Sequence, residues 1–498
     1  MLRTSIFILF AFMLSVLAGT SGIAADEIDR LYYEMDYDSV IALLEEKPTD
    51  SLVLNDRLVL LESRARSGHG HQALAQIDGI VDLFPRNDTI YTAAAIVYHS
   101  VGRFTKAQEF IKWALRMNPD NFKALHEHAM LSLHTGDCED ADSCLSEAIA
   151  RRPDLESTTF CTWTASEIYR ACLFAESSSI IYKDRAERFD SLGDRAEAGN
   201  CRKTSEMHSQ LIGRDMFSIE TDSDKVVLPL VDFEEGSSHK CLVLTIDGKD
   251  YLVLLDTGNA AAWTIHSNDL RRKLISLSGG FTSSRTGLDN RGTASQNIVT
   301  DSIVIGNVKF RNLVGLFFRK PSEHYYDANL NPFWIRDHVV TIDLARNELI
   351  LRSKERFESD MATVPRSSIT RLPCYGYDRP YVPVMINSSA VGMALIETGA
   401  QDISLRREFA DFMGLQYSER IITDTDGKEH IVGTAEVQAQ VGEFSFYRPS
   451  AWIWPMRFHN KITGVYDHIM IGPLALEGQF VLSFDPFART AILQKYTE

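Results

Sequence analysis

Three rhythms of apolar and polar residues run along the chain. An apolar run, broken only by Ser15, extends from Ile6 to Ala18, with Arg3 before it and small residues after it through Ala24-Ala25. From about residue 27 to residue 212 the pattern is helix-compatible, and part of it recurs at a fixed period. Gly68, Gly102 and Gly136 are spaced by 34 residues, as are Ala73, Ala107 and Ala141, and Pro85, Pro119 and Pro153. From residue 239 onward short apolar runs bounded by turn residues take over, the signature of strands. The pattern therefore predicts a leader over 1–25, helical repeats over 27–212 and a β-rich region over 239–498.

Physical chemistry supports each element. The leader has the layout of a secretory signal peptide, with cleavage after Ala24 or Ala25. Its apolar run is short for a membrane span, and no Cys follows it for lipid attachment. The expectation is an exported, periplasmic or extracellular protein with no membrane span after cleavage. In the repeats, alanine lets two helices approach closely, glycine sits at the turn between them, and proline ends the second helix. Three repeats are clear between about residues 53 and 153, flanked by helix-compatible segments over 27–50 and 154–209.

The motif Gly102-Arg103-Phe104, Ala107, Phe110, Ala114 and Pro119 resembles the tetratricopeptide repeat. That resemblance implies a curved surface that binds a protein or peptide partner. The alternative is an array that only packs on, or orients, the neighbouring domain. Residues 213–238, acidic and helix-poor, are expected to be a linker.

The β-rich region repeats itself at a second, longer period. Asp256-Thr257-Gly258 and Glu397-Thr398-Gly399 lie 141 residues apart (397 − 256), as do Gly292-Thr293-Ala294 and Gly433-Thr434-Ala435. Val339-Val340-Thr341-Ile342-Asp343 returns as Val481-Leu482-Ser483-Phe484-Asp485. One β unit is thus duplicated, with lobes over 239–353 and 378–498 joined by a connection over 354–377. Within the first lobe, Asp247-Gly248 predicts a tight hairpin ahead of the Asp-Thr-Gly.

Asp256-Thr257-Gly258-Asn259-Ala260-Ala261-Ala262-Trp263 resembles the active-site loop of the retropepsin-like and pepsin-like aspartic proteases. Glu397-Thr398-Gly399-Ala400 resembles its partner loop with the acid lengthened by one methylene. The resemblance spans about residues 239–495. It implies a multidomain chain: an all-α tetratricopeptide-type array followed by an all-β bilobal aspartic-protease-like domain. Asp256 and Glu397 would be the catalytic pair, sharing one proton and activating water against a peptide bond. Thr257 and Thr398 would cross-brace the loops, and Gly258, Asn259, Gly399 and Ala400 would shape them. Flaps are expected near Arg285–Gly292 and Asp424–Gly427. The family's apolar-apolar-Gly motif is met by Met470-Ile471-Gly472 in the second lobe but replaced by Asn329-Leu330-Asn331 in the first.

The implied function is an endopeptidase of the aspartic type, acting on a peptide or protein and needing neither cofactor nor metal. The alternative is a catalytically impaired relative that binds peptides or serves as a scaffold. Pairing of two chains, each giving its Asp256 lobe, is less favoured than intrachain pairing because the duplication is constant.

Composition narrows the picture further. A net charge of −17 with no compensating basic cluster excludes nucleic acid as a partner, and 45% apolar residues fit a folded chain. Seven cysteines leave at least one thiol outside any intrachain pairing, and buried thiols with one or two helix-linking bridges are expected. His126-Glu127-His128 carries metal-ligand residue types, but neighbours two apart on a helix diverge, so solvated or capping side chains are expected. Trp452 and Trp454 alternate on a predicted strand and face one side, to pack on a sheet or line a cleft.

Overall fold

The computed structural model describes residues 27–48, 51–172, 174–235, 237–286, 291–318, 326–388, 390–423, 429–454, 468–476 and 479–496. The expected signal peptide lies outside them. They fall into two compact units. One holds the helices up to residue 128 together with 144–164; the other holds 129–143 and the described residues from 165 on.

In the first unit the helices come in antiparallel pairs, Leu54–Ser67 with Gly70–Leu83 and Asp88–Ser100 with Phe104–Met117. The residues spaced by 34 explain the pairing. Gly68 and Gly102 turn at φ 104° and 75°, left-handed values that strain any other residue. Ala73 and Ala107 are fully buried, where a larger side chain would push the helices apart.

The expectation of solvated side chains at His126-Glu127-His128 fails for the first two, which are buried. Glu127 binds the equally buried Arg66 at 2.8 Å and His99 Nδ1 at 2.5 Å. Burial works to raise the Glu127 carboxyl, but His99 and Arg66 overcome it and hold the group down to about 2. His126 stacks on Phe160 with centroids 3.9 Å apart, and its Nε2 meets Thr164 Oγ1 at 2.8 Å. Arg66 lies 61 residues from Glu127, so local spacing could not announce the pair.

In the second unit, residues 218–352 supply β1 (Ser218–Glu220), β2 (Lys225–Pro229), β3 (Val231–Asp232), β4 (Lys240–Ile246), β5 (Lys249–Leu255), β6 (Trp263–Ile265), β7 (Ile275–Thr286), β8 (Arg291–Ile305), β9 (Val308–Phe317), β10 (Ala328–Leu330), β11 (Val339–Asp343) and β12 (Glu348–Arg352). Residues 369–495 supply β13 (Ile369–Pro373), β14 (Tyr381–Ile386), β15 (Ala390–Ile396), β16 (Ser404–Arg406), β17 (Ser418–Thr423), β18 (Glu429–Val441), β19 (Phe444–Trp454), β20 (Ile469–Ile471), β21 (Phe480–Asp485) and β22 (Thr490–Lys495).

Their pairing repeats. One sheet runs β3-β4-β5-β10-β6-β9-β8-β7, with β1 added on β9; another runs β14-β15-β20-β16-β19-β18-β17. The two agree strand for strand from β4 and β14 on, and in sense as well. β10 lies parallel to β5 and antiparallel to β6, as β20 does to β15 and β16. A third sheet, β13-β22-β21-β11-β12-β2, takes strands from both copies. At its centre Thr341 faces Ser483, its duplicate 142 residues on, with hydroxyls 2.8 Å apart.

The expected linker over 213–238 is corrected by this topology, since β1, β2 and β3 all lie within it and join sheets. Lys225–Pro229 alternates in burial and pairs with Glu348–Arg352, a partner too distant in sequence to be read locally. The connection over 354–377 is likewise structured, with a helix at Lys354–Ala362 and β13 on β22. The compact unit holding the sheets also takes in 129–143 and 165–212, so it does not begin at the linker.

Cys138 and Cys172 form a disulfide, while Cys144, Cys161, Cys201, Cys241 and Cys374 are buried thiols. Among the described residues no helix is long and apolar enough to cross a membrane.

Candidate functional site

The two acid-bearing loops leave equivalent strand ends, β5 and β15, and are held by equivalent bonds. Asp256 N–H donates to Leu330 O and Glu397 N–H to Ile471 O, both at 3.0 Å. Each loop then closes on itself, Asn259 N–H onto Asp256 O and Ala400 N–H onto Glu397 O, both at 3.2 Å. The apolar strands ahead of the acids bury Val253, Leu255, Ala394 and Ile396, so the carboxylates emerge where a hydrophobic core meets the surface.

Two buried threonines lock the loops together. Thr257 N–H donates to Thr398 Oγ1 and Thr398 N–H to Thr257 Oγ1, each at 3.0 Å. Each hydroxyl in turn donates across the pair, Thr257 to Ile396 O at 2.6 Å and Thr398 to Leu255 O at 2.7 Å. All four of these backbone groups are satisfied by the threonine of the opposite loop.

The glycines are required by close approach. A Cβ on Gly258 would stand 2.5 Å from Cδ of Glu397, and one on Gly399 would stand 2.6 Å from Asp256 Oδ1. Each acid thus lies against the glycine of the other loop, which brings both carboxyls to one place. Gly258 N–H also donates to Asp256 Oδ1 at 3.1 Å. The Asn259 side chain ties its loop to β6, its amide donating to Thr264 Oγ1 at 2.8 Å.

The replaced apolar-apolar-Gly motif has a structural explanation. Gly472 is pressed on the backbone of Gln401 and Asp402, where a Cβ would lie 2.6 Å from Gln401 C. Its counterpart Asn331 is buried and uses its amide instead, donating to Asn259 O at 2.6 Å and Asp378 O at 2.8 Å. Asn329 Nδ2 donates to Asp256 Oδ2 at 2.8 Å, and Asn329 Oδ1 meets His266 Nε2 at 3.1 Å.

Sequence reasoning missed Asn329, His266, Tyr326 and His239 as site neighbours. The 141-residue register was the available signal for Asn329, since it aligns that amide with Met470. Burial, followed by the Asp256 charge, pushes Tyr326 up to about 12. Burial lowers His239 despite a hydrogen bond with the Gly399 backbone and the nearby Asp256.

The expected first flap corresponds to the β7–β8 hairpin, where Thr286 pairs with Arg291; residues 287–290 lie outside the described residues. The second corresponds to β17–β18, closing at Thr423 and Glu429, and Asp424–Gly427 likewise lie outside them. Trp452 and Trp454 stack on one face of β19 with centroids 5.4 Å apart, Arg420 covering the former and Ser404 accepting from the latter. Arg170 reaches the first loop at Ala260 O, 3.4 Å away, while bound to Glu167.

No protein-family model matches the chain, and no curated protein matches it. Solved structures do match its helical part. A structure titled "MamA MSR-1 C2" is 16% identical, covering 37% of this chain and 98% of its own, with a TM-score of 0.20. A tetratricopeptide repeat protein from Parabacteroides merdae is 16% identical over 38% of this chain and 85% of its own, at 0.22. The Cut9–Hcn1 assembly of the APC/C is 16% identical over 39% and 40%, at 0.27. The helical hairpins with left-handed glycines every 34 residues make the N-terminal part a tetratricopeptide-like array, and several sheets follow it.

Proposed function

We propose that the chain is an acid-dyad hydrolase of peptide bonds, with Asp256 and Glu397 as its catalytic pair. The observation that carries this reading is the reciprocal packing of each carboxyl on the opposite loop's glycine, above the threonine knot. Two carboxyls brought to one place share a proton more readily than they both ionise. The ionised member takes a proton from water as the water oxygen bonds to the scissile carbonyl carbon. The protonated member gives its proton to the carbonyl oxygen. Collapse of that adduct breaks the C–N bond: the leaving nitrogen takes the proton that came from water, and one hydroxyl of the adduct returns its proton to the acid that had protonated the carbonyl oxygen. The chain's own carboxyls complete this cycle. The helical array would bind a protein partner or substrate, and export would place the reaction outside the cytoplasm.

A second reading, a peptide-binding or scaffolding module that does not cut, is favoured by Glu397 standing where the resembling family has Asp, and by repeats of a kind that binds proteins. One experiment separates them. The mature protein is incubated with a diverse peptide library from acidic to neutral pH, beside Asp256→Asn and Glu397→Gln. Cleavage abolished by both substitutions supports the hydrolase; a folded protein that binds peptides and cuts none supports the scaffold.

A further inference from the structure

The two copies of the β unit place different chemistry beside their two acids. In β10, Asn329 pairs with Leu254; in β20, Met470 pairs with Leu395, the residue 141 positions beyond Leu254. Asn329 and Met470 are therefore equivalent, one position before the strand residue that receives the acid's backbone N–H. The first is an amide that donates two protons, and the second is a thioether that donates none.

The geometry points to Asn329, oriented by His266, as the positioning residue that keeps Asp256 the ionised, water-activating acid and leaves the shared proton to Glu397. This inference rests on the hydrolase reading above. An ionised carboxylate only accepts hydrogen bonds, so the Asn329 NH2 must face Asp256 Oδ2, 2.8 Å away. The amide oxygen then faces His266 Nε2 at 3.1 Å, which must carry its proton there. Reversing the amide would set its oxygen against the carboxylate. With Gly258 N–H on Oδ1 at 3.1 Å, both Asp256 oxygens meet donors that favour the charged form.

The other titratable groups around Asp256 do not supply that preference. Glu397 comes from the second loop and, when ionised, opposes the charge. His239, from the segment before β4, is lowered by burial and so uncharged at neutral pH. Tyr326, just ahead of β10, is pushed up to about 12 and is neutral as well. His266 acts through Asn329. The amide on β10, with a thioether at the equivalent place on β20, distinguishes the surroundings of the two acids.

The test follows the Asp256 carboxyl directly in the full chain. Aspartate side-chain carboxyls are labelled with 13C, and the Asp256 signal is identified by its loss in Asp256→Asn. Its titration is then compared in the unsubstituted protein, Asn329→Leu and the equivalent-site control Met470→Leu. Asn329→Leu is expected to raise the midpoint by about one to two pH units, the size of a hydrogen bond to a charged group. Met470→Leu is expected to leave it in place. The acidic limb of kcat/KM on a cleaved peptide should move by the same amount. An unmoved midpoint in Asn329→Leu overturns the inference. If Asn329→Leu does not fold, His266→Phe, which releases the amide, is read instead and must also raise the midpoint. Absence of cleavage by every form would refute the hydrolase reading, while the carboxyl titration still decides the role of Asn329.

Discussion

Replacing Thr257 by Val is the sharpest probe of the knot between the loops. Valine keeps the shape of threonine and exchanges only the hydroxyl for a methyl. That hydroxyl donates to Ile396 O at 2.6 Å and accepts from Thr398 N–H at 3.0 Å, with Thr398 Oγ1 a longer contact at 3.4 Å. Thr257, Thr398 and Ile396 are all buried, so water cannot take its place. Two orphaned backbone groups at roughly 1–3 kcal/mol each give a loss of about 2–6 kcal/mol. Thr257→Ser keeps both bonds and deletes one methyl, at about 1 kcal/mol. Urea unfolding of the sheet-bearing unit, followed by tryptophan fluorescence, measures both. A Thr257→Val loss within about 0.5 kcal/mol of that of Thr257→Ser would refute the claim that the hydroxyl bonds hold the loops together.

Two further substitutions or conditions test other parts. Gly258→Ala should leave the fold nearly as stable, because the new Cβ meets the flexible end of Glu397. It should cut hydrolysis about a hundredfold or more by displacing that carboxyl, and undiminished activity in Gly258→Ala would show that Glu397 is not placed as described. Acid should weaken the two units separately. Burial, helped by Arg66, lowers His126 to about 3, and burial lowers His208 to about 4. Unfolded, each takes up a proton near pH 6.5; the stability from keeping them neutral is present above that pH and lost as pH falls toward the folded values. Each unit should therefore be about 2 kcal/mol less stable at pH 5 than above pH 7, and a flat stability over that range would contradict the burial of these rings.

Periodic features were the ones readable from sequence. The 34-residue glycines are legible because a left-handed turn favours glycine, and the Asp247-Gly248 turn, a common hairpin pair, takes positive φ at both positions. The 141-residue duplication could be read because copies of one unit need the same apolar alternation. What escaped were contacts whose partner lies far along the chain. Arg66 makes Glu127 a buried residue, and β12 makes Lys225–Pro229 a strand rather than linker. Asn329-Leu330-Asn331 registered only as a missing glycine. That its two amides replace glycine's close approach with hydrogen bonds depends on where Asn259, Asp378 and Asp256 lie in space.

The central strand pair, with Thr341 meeting its own duplicate Ser483, has a consequence for how such a site can change. In a pair of identical chains related by a two-fold axis, one altered codon alters both sides of the cleft at once. Here each half has its own stretch of gene. One acid can lengthen to glutamate while the other stays aspartate, and an asparagine can settle beside the first while a methionine stands beside the second. In a chain that carries both copies, the two members of the pair are independently heritable.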